Sequence, residues 1–369
     1  ETNNGSDDIF LTKYNSAGTR QWTRLAGTGT SDQPGWNGLA VDGSGNSFVT
    51  GGSSGDLDGQ GNSGGSDVCL IKYDTAGTKQ WTRVLGGTGN ESGSGVAVDG
   101  GGNIYVVGST TADLDSQSFS GGTYDAFLTK YNSSGVKQWT RLLGNGTETY
   151  GYAVAVASSG NVYISGVTRN SLDGEPFGGM VDMFVAKYNA SGVRQWTRMI
   201  GTGRQEVCYG VAVDTSENVY ASGSSYGDFD GLANSDPTWM SLDIFLVKFN
   251  AAGTKQWSRF YGGSGGDVTV GLAVDGSGNA YIAGNTDAAL EGFTPTGSHD
   301  LILIKVDTSG TRQWTRMLGT GSGDYARSVA VDTSGTTFMT GHTSGDLDGA
   351  TNNGGNDGFI VKYDTSGAL

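Results

Sequence analysis

The stretch Gly55 to Asp67, GDLDGQGNSGGSD, places Asp56, Asp58, Asn62 and Asp67 within a twelve-residue run from Asp56 that is otherwise mostly glycine and serine. Oxygen donors at that density suit a hard cation such as Ca²⁺, which takes roughly six to eight oxygens. The pattern returns as DLDGATNNGGND with Asp346, Asp348, Asn352 and Asp357, and less completely with Asp113, Asp115 and Asp125 and with Asp228 and Asp230. It decays further to Asp173 with Asp182 and to Glu291 with Asp300. Calcium is the expected cofactor of the two best loops, with no organic cofactor. The competing reading makes the loops soluble connectors. The closing aspartate recurs in every copy (Asp8, Asp67, Asp125, Asp182, Asp243, Asp300, Asp357), which suits a structural task such as accepting backbone N–H bonds.

A second tier of acids precedes the segments of small residues: Asp32, Glu91, Glu148, Glu206, Asp267 and Asp324. Arranged around an axis, they would encircle its mouth and focus a negative field on a cation or cationic ligand. Alternatively, each satisfies a local backbone or arginine partner. Trp36 in DQPGWNG and Trp239 in DPTWMS lie on variable loops, where an amphipathic ring can stack on a sugar, anchor a protein or plug against a neighbouring loop. Catalysis has little to draw on. His299 and His342 lack motif partners, and no zinc pattern, phosphate-cradling loop or nucleophile elbow occurs. A polysaccharide lyase or glycosidase using the inner acids is the remote alternative to a non-enzyme.

The elements that must position these residues are repeats. QWT or QWS places Trp22, Trp81, Trp139, Trp196, Trp257 and Trp314 at a near-constant interval along the chain. Each interval holds four short alternating segments, such as GLAVD, NSFVTG, VCLIKYD and KQWTRVLG, punctuated by Gly, Asn, Asp and Ser. No sustained helical period appears. Four antiparallel strands, A to D, repeated six times predict an all-β, six-bladed β-propeller in one domain, residues 1–369. The A strands, rich in small residues, go innermost. Asp42, Asp99, Asp214, Asp275 and Asp332 read as tight-turn residues between A and B. The repeated tryptophans are expected in equivalent, largely buried positions.

The count of C segments exceeds the others by one, because DIFLTKY near the N terminus and FIVKYD near the C terminus are near copies. Closure by strand exchange between the termini is expected. The C-terminal copy should take the slot beside the last B strand, the N-terminal D strand should lie outside it, and the first C strand should be displaced to an edge or another molecule.

Composition agrees with a folded, turn-rich β protein: glycine numbers 66 and proline 4 among 369 residues, with 35% hydrophobic and 10% aromatic. The formal charge of −15 argues against nucleic acid as a partner. No apolar run is long enough to insert in a membrane, and a start at Glu1 with no basic-then-apolar leader reads as a mature or trimmed fragment. Cys69 and Cys208 show no ligand spacing and are expected to be buried apolar residues rather than a disulfide.

The units GVAVDGGGNIYVVGST and DAFLTKYNSSGVKQWTRLLG resemble the bacterial SBBP β-propeller repeat, a relative of NHL-type blades, over nearly the whole chain. That resemblance implies a secreted or surface-anchored protein without a defined activity. The family implies seven blades, so part of a seven-bladed ring is the alternative architecture. The leading functional expectation is a non-catalytic extracellular or cell-surface module, presenting an acidic, calcium-stiffened loop face to a glycan or a surface protein. The second is a structural subunit linked to copies of itself through the surplus strand.

Overall fold

A computed structural model describes residues 2–235 and 241–369. The chain falls into two compact units, Glu1–Ile164 with Tyr188–Val193, and Ser165–Lys187 with Arg194–Leu369. The described residues form strands joined by turns, apart from one 3-10 turn at Leu57–Gly59.

In the first unit β1 (Ile9–Tyr14) and β2 (Arg20–Ala26) form a hairpin. Two four-stranded antiparallel runs follow: β3 (Asp32–Val41), β4 (Ser47–Ser53), β5 (Asp67–Tyr73) and β6 (Lys79–Leu85), then β7 (Glu91–Val98), β8 (Ile104–Thr110), β9 (Asp125–Tyr131) and β10 (Lys137–Leu143). A parallel bridge between Asn37 and Gly95 joins the two A strands. The third repeat, β11 (Thr149–Val156), β12 (Val162–Thr168), β13 (Asp182–Tyr188) and β14 (Arg194–Ile200), is where the units divide.

The second unit holds β15 (Glu206–Val213), β16 (Val219–Ser225), β17 (Asp243–Phe249) and β18 (Lys255–Tyr261), then β19 (Asp267–Val274), β20 (Ala280–Thr286), β21 (Asp300–Val306) and β22 (Arg312–Leu318). A three-stranded sheet, β23 (Asp324–Val331), β24 (Thr337–Thr343) and β25 (Asp357–Tyr363), ends it. The C-terminal copy of the C segment does take the place beside β24, paired from Thr337↔Tyr363 to Thr343↔Asp357. β1 keeps β2 as its partner, because the Asn15 side chain closes their turn by accepting the N–H groups of Ala17 and Thr19.

Strand chemistry explains the sheets. Five of the six B strands carry a fully buried aromatic at their second position (Phe48, Tyr105, Tyr163, Tyr220, Tyr281), and Phe338 of β24 is partly buried. The Tyr105 and Tyr281 hydroxyls bond Asp99 and Asp275 of the preceding turn at 3.0 and 3.1 Å. Those aspartates are turn residues as expected: Asp99 Oδ1 accepts the N–H of Gly101 and of Asn103. Partial burial opposes ionisation, but the Asn103 and Tyr105 bonds hold the Asp99 carboxyl below its ordinary range. A strands of neighbouring sheets approach closely; a Cβ on Gly210 would lie 2.8 Å from Leu272 Cβ.

The repeated tryptophans hold equivalent, largely covered positions as expected. Each spans a seam between consecutive sheets, and Trp22, Trp81, Trp257 and Trp314 pack against the buried clusters there. The arginine two residues on lies over the indole, with its guanidinium carbon 5.0–5.6 Å from the ring centre. Its Nε donates to the glycine carbonyl of the next C–D turn, from Arg24 to Gly77 at 2.6 Å through Arg316 to Gly367 at 2.7 Å. The QWTR motif is thus a latch between sheets. Cys69 and Cys208 are free and buried as expected, and burial pushes both thiols up to about 12.

Candidate functional site

The outer acids are occupied by protein partners. Asp56 accepts the Gly61 N–H at 2.6 Å. Asp58 pairs with Lys79 at 2.5 Å and accepts the Thr82 hydroxyl on β6. Asn62 turns its amide to the Ser53 and Gly65 carbonyls, and Asp67 accepts the Ser63 N–H at 2.8 Å. Asp113 caps Phe119 N–H, Asp115 pairs with Lys137, Asp228 accepts Asn234 N–H, and Asp230 pairs with Lys255. In the last repeat Asp346 accepts Asn352 N–H, Asn352 bonds the Thr343 carbonyl, and Asp357 accepts Asn353 N–H. Asp173 pairs with Arg194, and Glu291 with Arg312.

These side chains bond to their own chain, and among the described residues no group of three or more His, Cys, Asp or Glu is placed to hold a metal. Registry sets these pairs: Asp58, Asp115, Asp173, Asp230 and Glu291 each face the cation that opens their own D strand. Burial opposes ionisation of Asp58, yet the Lys79 and Thr82 bonds hold its carboxyl below the ordinary range. Asp58→Ala is expected to lower stability by up to about 1 kcal/mol, the scale of a partly exposed pair. Thermal melts should show the same loss in calcium and in chelator. A loss confined to calcium would support the metal reading.

The inner acids are interior. Asp32, Glu91, Glu206, Asp267 and Asp324 are each at most 1% exposed, so they present no open ring of charge. Each accepts the N–H four residues before it, at 2.6–2.7 Å, from Thr28, Gly87, Thr202, Gly263 and Thr320. The sixth position is Thr149, which begins β11, and Glu148 falls one residue outside it. There Asn145 accepts the Thr147 and Thr149 hydroxyls instead. The leading aspartates of the C strands use the same device, as in Gly178 N–H to Asp182 at 2.6 Å and Thr296 N–H to Asp300 at 2.9 Å; in Asp125 and Asp243 the donors are Ser120 and Ser235. Desolvation pushes Asp267 up to about 7 against bonds from Thr286 and Gly263.

One open surface in the first unit has ligand-binding chemistry. Between Pro34↔Gly51 and Leu39↔Val49 of the β3/β4 ladder, residues 35–38 bulge out, where β7 has a one-residue bulge between Gly93 and Gly95. Bulges re-aim side chains, and this one presents Trp36 at 59% exposure. Beside it runs a groove of about 270 Å³ whose lining includes Gln33, Ser54, Ser66, Ser92 and Ser94. Asn37 Nδ2 donates to the Tyr152 carbonyl at 3.2 Å, tying the bulge to a stack of Tyr124, Tyr150 and Tyr152 with ring centres 4.5 and 6.1 Å apart. Trp36 was legible in the sequence; the tyrosines were not, although TYD and TYGY could have flagged them. Trp239 lies outside the described residues. In the second unit, His299 and His342 flank Tyr325 at 4.9 and 5.1 Å, and His299 Nδ1 bonds its hydroxyl at 3.1 Å.

A profile of the SBBP beta-propeller repeat matches residues 21–58, 80–115, 138–173, 195–230, 256–290 and 313–348. The chain is 28% identical over 344 residues to the regulatory protein FlaEY of Caulobacter vibrioides, covering 83% of the chain and 36% of that protein. It is 24% identical over 320 residues to an uncharacterized WD repeat-containing protein of Acanthamoeba polyphaga mimivirus, covering 65% of the chain and 23% of that protein. The chain thus spans about a third and about a quarter of these two relatives. Among solved structures, the WD40 domain of Neurospora crassa Pan2 aligns with a TM-score of 0.45 at 9% identity, over 82% of this chain and 74% of that one.

Proposed function

The chain belongs to the SBBP beta-propeller repeat family, and from that premise we propose that it is a non-catalytic binding module whose ligand is a glycan held in the groove beside Trp36. The observation that carries this reading is an indole at 59% exposure beside a groove lined by serine hydroxyls and Gln33. Such a surface offers a flat apolar face for the C–H face of a sugar ring and hydrogen-bonding groups for its hydroxyls. The formal charge of −15 favours neutral or amino sugars over acidic polymers. Burial and local bonding of the inner acids support a binding role over an acid–base one, since both tiers serve the loops that carry them.

The test is a glycan array followed by calorimetry on the best ligand. Trp36→Ala is expected to weaken binding about tenfold, or roughly 1.4 kcal/mol, with an unchanged melting temperature. An array without neutral or amino-sugar ligands, or equal affinity in the variant, would overturn the reading.

A further inference from the structure

We infer that the groove beside Trp36 seats the acetamido group of an N-acetylated hexosamine, an inference that rests on the glycan reading above and narrows it to one sugar class. The groove opens where later repeats carry a side chain. Gly52, the sixth residue of β4, lines it together with Ser66, Ser92 and Gly93. In the second unit the sixth residue of β16 is Ser224 and that of β20 is Asn285. Each reaches the third residue of the next A strand. Ser224 Oγ accepts the Thr269 N–H at 3.0 Å, and Asn285 Oδ1 accepts the Ala326 N–H at 2.6 Å. The corresponding donor in the first unit is Gly93, the third residue of β7, and Gly52 has no side chain to offer it.

The side chain that Gly52 omits defines what fits there. At Ala326 the cap is an amide carbonyl, so an amide carbonyl brought by a ligand suits Gly93 by the same chemistry. A Cβ on Gly52 would lie 2.9 Å from Ser66 Oγ and 3.6 Å from Ser92 Oγ. Two hydroxyls, each able to donate and to accept, therefore border the position and suit both ends of a small amide. Among the described residues that line the groove none is charged, which matches an uncharged acetamido group better than a free amine. Trp36, on the same groove and 59% exposed, offers its face to the sugar ring. Trp36 thus holds hexoses in general, and the space at Gly52 selects among them.

The test is calorimetry on the full chain with N-acetylglucosamine and N-acetylgalactosamine, each beside its free-amine and its plain hexose counterpart. In at least one series the acetamido form is expected to bind about tenfold more tightly than both counterparts. Gly52→Ser supplies the cap seen at Ser224. Residue 52 lies outside the left-handed region, and the atom nearest its added Cβ is the end of a rotatable serine. This variant should melt as the wild type does and lose the acetamido preference, whereas Trp36→Ala should weaken all forms alike. Equal affinity for the three forms, or a preference that survives Gly52→Ser, overturns the inference and leaves the glycan reading standing as long as binding still depends on Trp36. Absence of binding by every sugar in the series overturns both.

Discussion

Gly192→Ala is expected to melt several degrees below Gly18→Ala, although both glycines hold the same turn position with φ of +76°. Alanine in the left-handed region costs about 1 kcal/mol at either site. At Gly18 an added Cβ meets nothing within 4 Å, whereas at Gly192 it lies 2.9–3.0 Å from three carbons of the Trp139 indole. That ring cannot retreat freely, because Arg141 lies over it at 5.4 Å and donates to the Gly192 carbonyl at 2.9 Å. Displacing the pair adds an overpacking cost of about 1–3 kcal/mol. At roughly 2–4 °C per kcal/mol for a unit of this size, calorimetry resolves the difference. Equal melting temperatures would mean the Trp–Arg–Gly latch contributes nothing beyond turn geometry.

Stability is also expected to fall as pH rises from about 5 to about 8, with Asp267 as the largest contributor. Its carboxyl is raised from an ordinary 3.8 to about 7, chiefly by desolvation. Between those values the unfolded chain has released the proton and the folded one retains it, so the folded state binds more protons and loses stability with rising pH. Three units correspond to at most about 4 kcal/mol. Desolvation raises Asp182 and Glu206 as well, which gives the same sign. Asp267→Asn can still accept the Gly263 N–H and should flatten the profile, so that the variant is the more stable at pH 8. A wild-type melting temperature that is level from pH 5 to 8, or a variant with the same slope, would refute this.

These expectations rest on unequal footing in the sequence. The turn aspartates were readable because an Asx turn is closed within five residues: Asp42 accepts N–H groups from Ser44 and Asn46 and needs nothing distant. Strand positions were readable for the same reason, since alternation and glycine punctuation are local. The slot taken by β25 followed from the likeness of FIVKYD to other C segments, whose side chains suit the neighbour of a B strand.

Composition and spacing alone thus determined that the chain is all-β and built of six repeats, with five of the six A–B turns led by Asp and the C–D turns by Asp or Asn. Tertiary structure decided what the conspicuous side chains do. Trp139 has the sequence neighbourhood of a core residue, but the seam against the 189–193 turn leaves it half-buried. Asp58 has the spacing of a calcium ligand, and β6 also carries Lys79 into its reach. Glu148 has the apparent spacing of an inner acid, but the strand begins at Thr149, and a one-residue shift moves a side chain to the opposite face. Trp36 owes its exposure to a widened bulge in the β3/β4 ladder. A carboxylate or an indole has one chemistry in sequence and several in space, because its partner comes from a neighbouring strand or sheet whose register no local pattern encodes.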